Sequence, residues 1–313
     1  MVVVILLFGI RACLDQRKER GYENYLRDLS ALITTSGQLS QDFFATLNSP
    51  GDATKIEFQD QISSSRGTGE DLFSRAQGLD APGELTEAQA DLELAFELRR
   101  DGLSSIVEHI PTALGDEGRI DAIRQISVDM RQFLASDVLY DRARSRMLTV
   151  LDEQEITGKV PQSTFLPGTD PWLNYVRLTG LLARVGAEAS ADGTARGTEI
   201  SATVLKPGNV PLIPDSPNPL GQVPRQIEIS VLNGGTAEEL DVAVAFELIG
   251  GIETISDETT IARIGPGNTE SAQIPLEGEL PSGVELTLVV TVLPVSGETI
   301  VDNNESTYRV TFG

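Results

Sequence analysis

Apolar positions along the chain follow two different periods. From Arg225 to Gly313 they alternate with polar ones, in stripes separated by turn residues. The stripes are Ile227, Ile229 and Val231; Val242, Val244, Phe246 and Leu248; Ile261 and Ile264; Ala272, Ile274 and Leu276; Leu286, Leu288, Val290 and Val292; and Tyr308, Val310 and Phe312. A period of two puts each stripe on one face of a strand, and several short strands at this spacing predict an antiparallel β-sandwich. Ile200, Ala202 and Val204 also alternate, which starts the first strand at Thr198. Six prolines between Pro207 and Pro224 exclude a central strand there and predict an extended loop or an edge crossing.

Upstream the period is helical. Tyr22, Tyr25, Leu29, Leu32, Ser36, Leu39, Phe43 and Leu47 recur every three or four residues and form one seam, ended by Ser49-Pro50-Gly51. A second helix, from about Thr54 to Leu79, is anchored by Ile56, Ile62, Leu72 and Phe73. A third carries Leu85, Ala88, Leu92, Phe96, Leu103, Ile106 and Ile110 and closes at Pro111. A fourth runs from about Glu117 through Ile120, Ile123, Met130, Phe133, Leu134, Val138, Met147 and Leu151. Four amphipathic helices with short links predict an up-and-down bundle over 15–160. Residues 161–197 read as a linker or capping segment, with a short apolar stretch from Trp172 to Val185 and a turn-rich hinge from Gly186 to Gly197. The fold class is therefore multidomain α then β.

The first ten residues, Met1 to Ile10, are all apolar or glycine, and Arg11 follows. Ten residues is half of what a helical span needs, and no basic segment precedes them. They read as the end of a signal anchor that starts upstream, making 1–14 a membrane anchor. The bulk of the chain is then expected to lie outside the cell membrane as a single-pass protein, although Arg17, Lys18 and Arg20 are on the side that the positive-inside rule would keep in the cytoplasm. A lipoprotein reading of Cys13 would place Ile10-Arg11-Ala12 at the cleavage box, where arginine is unfavourable, so a free cysteine at the end of a membrane helix is preferred.

Charge narrows the partners. Acidic residues outnumber basic ones 47 to 24, and 222–313 holds three arginines and no lysine. With no basic footprint, nucleic acid is not an expected partner. The single cysteine excludes an intrachain disulfide, and the single histidine, His109, excludes a histidine-based metal site. His109 follows Glu108 near a helix end, no G-x-S-x-G elbow exists, and Gly234-Gly235 and Gly250-Gly251 lack the helix and lysine of a phosphate cradle. The carboxylate pairs Asp116/Glu117, Glu238/Glu239 and Asp257/Glu258 read as solvated surface. No catalytic, metal or cofactor-binding residue is assigned, and no enzyme is expected.

The turns of the β region give a family resemblance. Asn233-Gly234-Gly235-Thr236 follows a strand, Gly265-Pro266-Gly267 precedes another, and Pro294-Val295-Ser296-Gly297-Glu298 leads to Asp302-Asn303-Asn304-Glu305. In this order the segment resembles the CARDB domain, an immunoglobulin-like module of bacterial cell adhesion. The resemblance covers roughly 225–312 and implies an extracytoplasmic interaction module over 198–313. Asp302-Asn303-Asn304 reads as an ordinary Asx turn in preference to calcium ligation, which needs more oxygens. The expected function is a membrane-anchored, non-catalytic binding, adhesion or structural protein, with an envelope protein or polysaccharide as partner. The alternative is an extracytoplasmic sensor holding a small ligand in the helical bundle. A hydrolase with an accessory domain is a third possibility without a recognisable nucleophile and base.

Overall fold

The computed structural model describes residues 2–50, 53–169, 172–186, 195–221 and 223–313, with side chains from Gln16 onward. An N-terminal helical region is followed by antiparallel and mixed β-sheets. The chain divides into two compact units that interleave in sequence. One comprises Met1–Asn48, Gln59–His109 and Gln125–Asn174; the other comprises Ser49–Phe58, Ile110–Arg124 and Tyr175–Gly313.

The long helices are α1 (Val2–Asn48), α2 (Lys55–Gln77), α3 (Thr86–Ala113) and α4 (Arg119–Glu153), with a single 3-10 turn at Gly83–Leu85 before α3. Every member of the predicted α1 seam from Tyr22 to Leu47 is buried. Their three-four spacing keeps them on one face, where burial of each large apolar side chain contributes about 2 kcal/mol. Helices α3 and α4 approach closely at Gly102, where a Cβ would come within 2.6 Å of the Phe133 ring. Phe133 belongs to an edge-to-face aromatic cluster with Phe43 and Phe44, which Phe165 and Trp172 extend.

Three helical details differ from the sequence reading. Thr54 caps α2 reciprocally with Glu57, the Thr54 amide donating to the Glu57 carboxylate and the Glu57 amide to the Thr54 hydroxyl. That start turns Phe58 and Ile62 inward, while Ile56, two residues off the stripe, is 71% exposed. On α4, Leu134 and Val138 lie off the buried face, because Phe133, Ser136 and Tyr140 occupy it. Helix α3 continues through Pro111 to Ala113; a proline in the last turn removes one hydrogen bond and ends nothing by itself.

The helical unit buries a charge. Arg99, 2% exposed, donates to the hydroxyls of Ser36, Ser136 and Ser163 and to Asp137, with the rings of Phe96, Tyr140 and Phe165 around its guanidinium. Asp137 also accepts from the amides of Phe165 and Leu166, so the pair ties the segment after α4 into the core. Burial lowers the Arg99 pKa, and Asp137 works against that shift.

The second unit contains α5 (Tyr175–Ala183) and nine strands: β1 (Thr198–Lys206), β2 (Val210–Pro211), β3 (Pro217–Leu220), β4 (Gln226–Asn233), β5 (Glu239–Ile249), β6 (Ile255–Ile264), β7 (Thr269–Pro275), β8 (Glu285–Val292) and β9 (Glu305–Phe312). One sheet has the order β2-β1-β4-β7, the other β3-β9-β8-β5-β6. The two share one core that takes Ile227, Ile229, Val231 and Ile274 from the first and Val244, Phe246, Val290 and Val310 from the second. Tyr308, Val310 and Phe312 are buried and Arg309 is exposed, as alternation requires. The proline-rich segment supplies β2 and β3 at sheet edges, and β3 runs parallel to β9, so the predicted all-antiparallel arrangement gives way to a mixed one.

The membrane anchor is corrected. No helix among the described residues is long and apolar enough to cross a membrane. The apolar run before Arg11 would span about 15 Å as a helix, half the ~30 Å hydrocarbon core, and α1 continues through the charged residues Asp15 to Arg20. The single-pass, extracytoplasmic placement therefore falls with it. The side chains of 1–14, Cys13 among them, lie outside the described residues, as do 187–194 of the expected hinge.

Candidate functional site

The β unit has two unlike ends. At one, the start of β5 and the turn after β8 meet α5 and the segment that joins α3 to α4, and charged groups are buried between them. Arg196 donates to both carboxylate oxygens of Glu239, its Nε at 2.9 and 3.0 Å, and also reaches Asp116 at 3.1 Å. Glu239 is fully buried and heads β5. Arg119, 5% exposed, donates to the carbonyls of Pro294 and Thr179. Glu298, 1% exposed, accepts from the amides of Thr198 and Val295. Lys55 donates to the Leu114 carbonyl, and Gly297 N–H to that of Ala183.

Burial governs the charges here. It pushes the carboxyls of Glu239 and Glu298 up from their ordinary value, against Arg196 in the first case and against two amides in the second. It pulls Arg119 down to about 10. The cavity between Asp116, Arg119, Arg196, Asp241 and Ser296 measures about 10 Å³, barely enough for one water. This end is a closed joint with no room for a ligand. Apolar contact reinforces it: Ile120, Ala243 and Leu293 form a small buried cluster with Tyr175 and Val176 against it. Glu258 on β6 pairs with Arg124 and accepts from the Tyr175 hydroxyl. The solvated-surface reading of Glu239 and Glu258 is thus overturned, since each is drawn to a guanidinium distant in sequence.

At the opposite end the turns are open. Gly250, at φ +107°, starts the β5–β6 turn, and a Cβ there would sit 3.4 Å from Leu286. The turn lifts Ile252 into solvent at 95% exposure, with Ile249 and Val284 each about two-fifths exposed. Pro281 lies beside Gly251, and Gly278 beside Ile255, so the β7–β8 loop flanks this turn. The Leu276 amide donates to Arg225 and the Arg225 amide to Lys206, which brings the start of β4 and the end of β1 to the same end. Val223 and Val210 are exposed there as well. This apolar rim, on rigid strand ends and without buried ionisable groups, is the candidate binding site. Ile252 was passed over in the sequence because it lies off every stripe.

The helical unit has a second opening, a groove of about 570 Å³ lined by Gly83, Glu84, Thr86, Glu87, Ser145 and Arg146, among others. Its charges are engaged: Lys18 pairs with Glu84, and Arg146 with Glu87 and Asp91. His109 stands 3.8 Å from Asp129, beyond hydrogen-bond reach, and Asp129, whose pKa burial raises, accepts from Gln125. Among the described residues no group of His, Cys, Asp and Glu is placed to hold a metal ion. Asn304 of the Asx turn is buried.

No family model and no curated protein matches the chain. Among solved structures it is similar to the Pseudomonas fluorescens alkylpurine DNA glycosylase AlkC bound to DNA containing an abasic site analog, over 91% of this chain and 97% of that one, with 11% identity and a TM-score of 0.24. At that score the likeness carries no argument about what this chain does. The matched protein is an enzyme bound to DNA, the two classes that the sequence reading excludes for this chain. The exclusion of an enzyme, the exclusion of nucleic acid and the adhesion assignment are withdrawn. Average charge and missing motifs describe the whole chain, while sites are local.

Proposed function

We propose that the chain is a binding protein in which the β unit, an immunoglobulin-like module of the CARDB type, engages an apolar surface of a protein partner through its open turn end. In this reading the helical region is an up-and-down four-helix bundle that serves as scaffold. The observation that carries it is Ile252, 95% exposed on a turn fixed by Gly250 and accompanied by Ile249 and Val284. A bulky apolar side chain held in water by a rigid turn gains nothing for the fold, and clustered exposed apolar residues mark contact surfaces. The groove in the helical unit supports the small-ligand alternative less well, because its charged groups already pair with one another.

Photo-cross-linking tests this. A benzoylphenylalanine at position 252 or 284 of the full chain, expressed in its native cells, should give one discrete protein adduct. The same probe at Gln273, on the outer face of the first sheet, should give none. Equal labelling at all three positions, or none at 252 and 284, would refute the assignment.

A further inference from the structure

Among the described residues four strands lie at the sheet edges, and two of them, β2 and β3, are blocked. β2 has two residues, one of them Pro211; β3 contains Pro217 and Pro219; β7 ends in Pro275. Very short edges, and prolines within an edge, interrupt a ladder, and β7 is three residues shorter than β6 and proline-terminated. β6 differs. It has ten residues, with no proline, glycine or lysine, and Ile255, Thr259, Thr260, Ile261 and Ile264 are β-branched. It pairs with β5 along the run from Glu239↔Ile264 to Leu248↔Ile255, and no strand follows it in the sheet. Ser256, Asp257, Thr260, Ala262 and Arg263 on it are exposed.

We propose that β6 is a self-pairing edge, joining two copies of this chain antiparallel about a twofold axis at Thr260. Charge complementarity selects the partner and the register. In an antiparallel pair of identical strands, residues of equal parity face each other across the axis. An axis at Asp257 or Glu258 sets like charges opposite, which is unfavourable. An axis at Thr259 or Ile261 pairs no charge with another. The axis at Thr260 sets Asp257 opposite Arg263 of the second copy, twice, while Thr259 faces Ile261 and Thr260 faces its own equivalent. The remaining carboxylate, Glu258, is already paired with Arg124. Among the described residues Arg263 makes one exposed contact, at 3.5 Å with Glu238, which leaves it able to turn toward the second copy. This interface is independent of whatever the open turn end binds.

Sedimentation velocity on the full chain tests it. The wild type should show a concentration-dependent dimer. Asp257→Arg and Arg263→Asp should each weaken it roughly tenfold, since each sets like charges opposite twice, and the double reversal should restore it to within about threefold. Thr260→Pro should abolish it by removing the central donor. Should Thr260→Pro fail to fold, the reversal cycle, made on exposed side chains, decides alone. A wild type that stays monomeric up to 100 μM overturns the proposal. So do single reversals that dimerise as well as the wild type, or a double reversal that does not recover.

Discussion

The two ends of the β unit solve opposite problems with the same kind of loop. At the joint, turns carry Arg196, Glu239, Arg119 and Glu298 out of water, and each finds partners on segments distant in sequence. At the open end, turns of similar length hold Ile252 in water and leave Ile249 and Val284 partly exposed beside it. Buried charge costs several kcal/mol to desolvate, and removing one of its partners leaves that cost uncompensated, so the joint is intolerant of change. Exposed apolar side chains cost the fold little, so the open end is free to vary without unfolding the unit. Sensitivity to substitution is concentrated at one end and the candidate binding surface at the other.

The contrast is broken most severely at the joint. Arg196→Ala leaves Glu239 buried without its guanidinium and should destabilise the β unit by about 3–5 kcal/mol in urea unfolding. A loss below about 1 kcal/mol would mean that water enters the joint. Next in size is the turn itself. Gly250→Val forces a β-branched residue to φ +107° with its Cβ against Leu286, and should cost about 1–3 kcal/mol by the same measurement. A neutral result would show that the turn is not rigid.

A smaller effect is expected from pH. Glu239 and Glu298 have folded pKa values raised above the ordinary 4.5. The folded state therefore binds more protons than the unfolded chain between 4.5 and those raised values. Their contribution is most favourable below that window and is lost as pH rises through it. Glu298→Gln removes one of these titrations, so the stability of the wild type relative to this variant should fall as pH rises from 4.5. A difference that grows with pH would reverse the assignment of burial as the dominant cause. The smallest effect on stability belongs to the open end. Ile252→Asp should change it by less than about 0.5 kcal/mol while removing the partner adduct formed through position 284. Loss of stability instead would make Ile252 part of the fold.

The α1 seam and the stripes of β4, β5, β7, β8 and β9 were legible because periodicity reports which face is buried. On β1 the shift of register between Ile200 and Ala202 turns Thr203 and Leu205 inward and leaves Ala202 exposed, against the predicted stripe of Ile200, Ala202 and Val204. The same logic missed Ile56 on α2 and Leu134 and Val138 on α4, where a capping box and the polar occupants Ser136 and Tyr140 set the phase. Arg99, Glu239 and Glu298 gave no local signal at all, since a charged residue reads as solvated until its partner is known.

The sequence by itself determined that helices precede strands, which face of α1 and of most strands turns inward, and that the proline-rich segment forms no central strand. Only the tertiary structure decided which charges are buried, that β3 runs parallel to β9, and that β6 is left as an open edge. It also decided that Ile252 stands in water. Periodic burial is a property of one element, whereas pairing a buried charge, choosing a strand neighbour or leaving a turn uncovered depends on what the rest of the chain brings within a few ångströms.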